Sequence, residues 1–150
     1  MTRLSWPSGR VELLSQRAKS ITTEVPSAQR DPLTGRIIGA AIEVHRQLGP
    51  GLLESAYREC LCWELQHRGI AVEREIALPL VYKGVRVDAG YRLDLIVEGS
   101  VLIELKAVER LAPVHTAQAI TYLKLSGLRV CLVMNFNASV LRDGIVRVVL

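Results

Sequence analysis

Hydrophobic and polar positions along the chain change period twice, and each change marks a new kind of element. From Leu33 to Leu48, Ile37, Ala40, Ala41, Val44 and Leu48 recur at helical spacing. Thr34 is placed to cap this helix, and Gly49-Pro50-Gly51 to end it. A second helix is predicted from Leu52 to Arg68, with Gly69 as its C-terminal stop. Beyond Gly69 the pattern becomes extended. "IAVEREIALPLVY", "VRVDAGYRLDLIVEG" and "SVLIELKAV" read as three strands of an antiparallel meander, with turns at Lys83-Gly84 and around Gly99. Pro113 opens a third helix that Gly127 closes. "LRVCLVMNF" then has the unbroken apolar character of a strand buried on both faces, and "GIVRVVL" suits a last edge strand.

Composition adds bounds to this α/β reading. With 150 residues, 49% of them hydrophobic, the chain is long enough for one domain with a sizeable packed core. Its longest apolar runs, Ile76 to Tyr82 and Val130 to Met134, fall well short of the roughly 20 residues of a membrane span. The first residues contain no apolar core of signal-peptide length, so no membrane and a cytoplasmic location are expected. Three cysteines, Cys60, Cys62 and Cys131, are odd in number and read as buried free thiols. Cys60, Cys62 and the nearby His67 do not complete a four-ligand zinc set. Trp63 shares a helical stripe with Ala56 and Cys60 and is assigned to the core.

The net charge of +4 is concentrated at one end. Residues 1–30 hold five Lys and Arg against two Asp and Glu, whereas residues 31–150 hold fourteen against thirteen. Composition therefore gives the folded part no strong duplex-binding signature. Residues 1–32, mixing Ser, Thr, Gln, Pro and charge, read as a flexible basic extension, and residues 33–150 as the single domain.

The chemistry is concentrated in "YRLDLIVEGSVLIELKAV", Tyr91 to Val108, where Asp94, Glu104 and Lys106 interrupt strands otherwise suited to burial. Alternation puts Leu93, Leu95 and Val97 on one side of the first strand and Arg92, Asp94 and Ile96 on the other. In the second strand, Glu104 and Lys106 share the face of Leu102. A three-residue turn at Glu98, Gly99 and Ser100 would pair Val97 with Val101 and set Asp94 across from Glu104. A two-residue turn would separate the carboxylates onto opposite faces. Like charges facing each other across a ladder are unfavourable unless a cation lies between them. A divalent metal held by carboxylates, waters and a backbone carbonyl supplies that cation, with a lysine beside it. The competing interpretation is an ordinary solvated sheet face.

Asp94, Glu104 and Lys106, spaced as D-x9-E-x-K across a hairpin, resemble the PD-(D/E)XK nuclease-like superfamily. More closely, "GLLESAY" at Gly51 to Tyr57 resembles the GxxExxY protein family. "AIEVHRQLGPG" precedes that block, and "RLDLIVEG", "IELKAV", "QAITYLKLSG" and "NFN" follow it in order. The likeness spans about residues 33–150, with Leu93 where the superfamily name has proline. It implies a restriction-endonuclease-like αβββαβ core, a central mixed sheet flanked by helices. It also implies Mg2+ or Mn2+ as cofactor, with Asp94, Glu104 and the Leu105 carbonyl as ligands and Lys106 beside the attacking water. The implied reaction is hydrolysis of phosphodiesters in DNA or RNA; the alternative is a catalytically inactive nucleic-acid-binding or assembly module on the same fold.

Three further residues join this implied site. Glu54, with Gly51 read as the N-cap, falls at the third helical position, where a carboxylate suits the helix dipole. The resemblance adds a metal contact to that capping role. Gln118 and Tyr122 lie four apart on one helix face, an ordinary polar contact by itself. "QAITY" resembles the Gln-x-x-x-Tyr element of RecB-like nucleases, which borders the active site. His45 is read as a satisfied helix histidine, and no ligand role is assigned to His67 or His115.

Overall fold

A computed structural model of the chain describes residues 22–24 and 31–150. Its elements run β1 (Thr22–Glu24), α1 (Pro32–Leu48), α2 (Glu54–His67), β2 (Val72–Ala77), β3 (Leu80–Tyr82), β4 (Val85–Val87), β5 (Arg92–Val97) and β6 (Val101–Lys106). They continue with α3 (Pro113–Ser126), β7 (Val130–Asn135), a 3-10 turn at Leu141–Gly144 and β8 (Ile145–Val149). Most of the expected basic extension lies outside the described residues. Thr22–Glu24, within it, pairs antiparallel with β8, so β8 lies inside the sheet and β1 forms the edge.

The helix boundaries follow capping chemistry. Asp31, rather than Thr34, caps α1: its carboxylate accepts from Leu33 N–H at 3.1 Å and from the Thr34 hydroxyl at 2.7 Å. Pro32 can then take the first helical position, where its missing N–H costs nothing. Helix α2 begins at Glu54 after Leu53, so Glu54 is its first residue rather than its third. Helix α3 starts at Pro113, as the sequence suggests, and His115 Nδ1 accepts from Ala112 N–H at 2.9 Å.

The main sheet has the order β1-β8-β7-β6-β5-β2. Among the described strands only β6 and β7 pair in parallel, because α3 supplies the long crossover a parallel pair requires. One face packs on α1 and α2 through Ile37, Leu61, Leu65, Leu95, Ile103 and Leu132. The other packs on α3 through Leu102, Ala119, Leu123, Cys131 and Val133. Covered on both faces, β6 and β7 are buried almost throughout, which accounts for their unbroken apolar character.

The expected meander is present as β2-β5-β6 but is interrupted. Residues 80–87 leave the sheet as a separate two-stranded ribbon, β3-β4, turning at Lys83-Gly84. Pro79, which has no backbone N–H, sits at the break after β2. A second irregularity lies inside β2. Glu75 has φ 50°, and the ladder pairs Arg74 with Leu95 and Ile76 with Leu93 while skipping Glu75 and Asp94. Leu93 consequently packs with Ile96 and Leu102 instead of sharing the face of Leu95 and Val97 as strict alternation predicts.

Helix α2 also departs from expectation. Its buried stripe is Tyr57, Leu61 and Leu65 with Cys62, so Trp63 is 60% exposed and stacks on His67, and Cys60 is exposed too. Residues spaced by four share a face, and burying the larger Tyr-Leu-Leu stripe turns Trp63 outward. Cys62 and Cys131 are buried free thiols as expected.

Candidate metal-dependent active site

The β5–β6 turn comprises Glu98, Gly99 and Ser100, with φ of 52° at Glu98 and 61° at Gly99. Ser100 N–H closes it on the Val97 carbonyl at 3.0 Å. Val97 therefore pairs with Val101, Ile96 with Leu102 and Leu95 with Ile103. One step further the register brings Asp94 to Glu104, and there the backbone ladder stops. Side chains replace it: Asp94 Oδ2 accepts from Leu105 N–H at 2.9 Å, and Glu104 Oε1 from Asp94 N–H at 3.4 Å. In a strand, a residue's N–H and C=O project to the same edge. The Leu105 carbonyl thus points to the side on which Asp94 stands, while its side chain fills the α1–α2 core.

Two helices close around this open end. From one face, the Glu54 carboxylate accepts from Ala107 N–H at 3.3 Å, tying the start of α2 to the residue after β6. Arg58, one turn along α2, places Nη1 3.3 Å from Asp94 Oδ1 and Nη2 3.3 Å from Glu75 Oε1. From the other face, Lys106 Nζ donates to Gln118 Oε1 at 2.8 Å, and Gln118 Nε2 donates to the Tyr122 hydroxyl at 2.9 Å. The six side chains Asp94, Glu104, Lys106, Glu54, Gln118 and Tyr122 are thereby linked to one end of the sheet.

Electrostatics single out Glu104. It is only 4% exposed, and its carboxyl is pushed up to about 8, first by burial and then by the charge of Asp94. Tyr122 is pushed upward by burial and by Glu104, and Cys131, behind Glu104, by burial first. An acid this far from water is neutral at moderate pH unless additional positive charge arrives.

The donor set suits a hard divalent cation: two carboxylates and a strand carbonyl, with room in such coordination for waters. Among the described residues, no three Asp, Glu, His or Cys side chains converge as a metal-ligand group. Glu54 is thus brought to the site through Ala107 and not into a shared carboxylate cluster with Asp94 and Glu104.

Sequence reasoning passed over three residues. Arg58 is one; its spacing of four from Glu54 was the available signal. Asn135, 3% exposed, donates to the Val108 carbonyl at 2.9 Å and accepts from Val108 N–H at 3.1 Å, fixing the chain just beyond Lys106. Tyr57, the last letter of "GLLESAY", is fully buried; its hydroxyl donates to the Gly49 carbonyl at 2.6 Å and accepts from Leu52 N–H at 3.1 Å. Its ring stacks on Phe136 at 4.6 Å, so Tyr57 anchors the loop before Glu54. His45 Nε2 meets the Ala138 carbonyl at 2.8 Å, the satisfied helix histidine expected.

A mixed sheet covered on both faces by helices, with an acidic pair and a lysine at the open end of its central hairpin, defines a restriction-endonuclease-like protein of nuclease type. The chain belongs to the PD-(D/E)XK nuclease superfamily, whose family model matches residues 31–148. No curated protein and no solved structure matches the chain. Nucleases of this superfamily generally use divalent metals. Among the described residues, no helix is long and apolar enough to cross a membrane.

Proposed function

We propose that the chain is a cytoplasmic, Mg2+- or Mn2+-dependent phosphodiesterase that hydrolyses DNA or RNA, its activity residing in one domain over residues 33–150. The observation carrying this reading is the meeting of Asp94, Glu104 and Lys106 where the β5–β6 ladder opens, with Lys106 tied to Gln118. Gly51, Glu54 and Tyr57 support the finer assignment to the GxxExxY type, and the buried reduced thiols Cys62 and Cys131 suit a reducing compartment.

Asp94, Glu104 and the Leu105 carbonyl would hold the metal, with Glu54, from the first turn of α2, bracing the chain just beyond Lys106 through Ala107 N–H. When bound, the metal supplies Lewis-acid stabilisation of charge on the phosphate and makes water a better nucleophile. Lys106, oriented by Gln118, offers an ammonium to the entering or leaving oxygen. Tyr122 holds the far side of Gln118 and fixes the amide's orientation. Hydrolysis adds water across one P–O ester bond, leaving a phosphate on one product end and a hydroxyl on the other.

Cleavage of single- and double-stranded DNA and RNA, assayed with each metal, tests the proposal against Glu104→Gln and Lys106→Ala. Activity that survives unchanged in both variants rejects it. Stable nucleic-acid binding without cleavage in either metal assigns the inactive-module alternative.

A further inference from the structure

Arg58 takes no part in the proposed hydrolysis, yet it reaches the acidic pair from α2. Its side chain is 17% exposed and that of Asp94 18%, so water screens their attraction only partly. The guanidinium is shared: one nitrogen faces Asp94 and another Glu75, both at 3.3 Å. Charge-assisted hydrogen bonds between such groups are normally about 2.7–2.9 Å, so neither contact is tight. Arg58 Nε is buried with no hydrogen-bond partner. A guanidinium with two long ion pairs and one unsatisfied nitrogen leaves part of its donor capacity unused.

Glu75 is held toward Arg58 by an unusual backbone. Its φ of 50° is rare for a residue with a side chain, and it falls where β2 fails to pair with Asp94. Its side chain is 49% exposed, so it offers a wetter resting place for the guanidinium than Asp94 does. The two acids therefore define an inner and an outer station for one cation.

Resting on the metal-dependent reading of Asp94 and Glu104, we propose that Arg58 is the built-in counter-ion of the acidic centre. It neutralises Asp94 in the metal-free protein and is displaced toward Glu75 when a divalent cation binds. Arg58 thereby sets the metal concentration at which the site fills. Positive charge on the metal repels the guanidinium from Asp94, and Glu75 retains it close by.

Isothermal titration of the full chain with Mn2+ tests this without any nucleic acid. Arg58→Ala is expected to bind Mn2+ roughly tenfold tighter than wild type, the scale of one charge-assisted hydrogen bond no longer opposing the metal. Arg58→Lys, which keeps the charge but loses the fork, should fall between the two. Glu75→Gln should weaken Mn2+ binding, because the displaced guanidinium loses its outer station. The double variant should behave as Arg58→Ala does. A general structural defect would not move affinity in opposite directions at the two positions, and thermal melts identify any variant that fails to fold. Unchanged or weaker Mn2+ binding by folded Arg58→Ala and Arg58→Lys overturns the inference, as does absence of binding by wild type and both variants. A wild type that shows this Mn2+ pattern yet cleaves no nucleic acid leaves the inference standing and overturns the hydrolytic reading instead.

Discussion

The two ends of the β5–β6 hairpin use the same pair of strands for opposite purposes. At the turn end, Val97 meets Val101 and Leu95 meets Ile103, every one of them buried and apolar, with the backbone ladder intact. At the open end, Asp94 and Glu104 face each other, the ladder stops, and carboxylates take over the backbone N–H groups of Leu105 and Asp94. The turn end gains stability from burial, whereas the open end brings two acids together at an electrostatic cost. A hairpin built this way sets the position of its charged end with its apolar end.

This contrast predicts that substitutions at the two ends fail in different assays. Under the proposed hydrolysis, Lys106→Ala or Glu104→Gln should lower cleavage by about 100- to 1,000-fold, the scale of losing one electrostatic stabiliser, while the protein stays folded. Ile103→Ala should do the reverse, costing about 2–5 kcal/mol of stability in urea titration, since Ile103 is fully buried in the α1–α2 core. Any activity it loses should track the unfolded fraction. Equal stability losses at both ends would break the comparison.

Glu104 sharpens the contrast through pH. Its folded-state carboxyl lies at about 8 against an ordinary 4.5, so the native protein holds this proton more tightly than the unfolded chain does. The resulting stabilisation is complete below about pH 4.5 and is lost as pH rises through about 8. The urea midpoint of the metal-free protein should therefore fall across that window, and Glu104→Gln should flatten the fall. A pH-independent midpoint in wild type would show that the open end is not strained by its charges.

Smaller effects are expected further out. Asn135→Ala removes both hydrogen bonds to Val108 and should cost about 1–3 kcal/mol, with a drop in activity because the segment after Lys106 loosens. Trp63→Ala, on the exposed face of α2, should change stability by less than about 0.5 kcal/mol and leave cleavage at the wild-type level.

Much of this architecture is legible in local pattern. Pro113 and Gly127 bracket α3, and the unbroken apolar run over β7 marks a strand covered on both faces. Alternation places Glu104 and Lys106 on one face, and an odd-length turn is sufficient to bring Asp94 across from Glu104. Other features do not follow from local pattern. Helical spacing alone assigns Trp63 to the core, but the Tyr57-Leu61-Leu65 stripe takes the buried face of α2. Residue type alone makes Thr34 a cap, but Asp31 lies three residues earlier and captures both the Leu33 N–H and the Thr34 hydroxyl.

What the amino-acid sequence determined by itself was the periodic part: the three helices, the doubly covered strand β7, and which side of β6 bears charge. Those properties depend on neighbours within a few residues, where side-chain direction follows from backbone geometry. The tertiary structure alone decided that Arg58 from α2 reaches Asp94, that Gln118 from α3 orients Lys106, and that Glu75 leaves the ladder to share the guanidinium. Each of these joins residues on different elements, and their meeting depends on how two helices pack against opposite faces of one sheet. No local period encodes that arrangement, and the charges of the open end have partners only because of it.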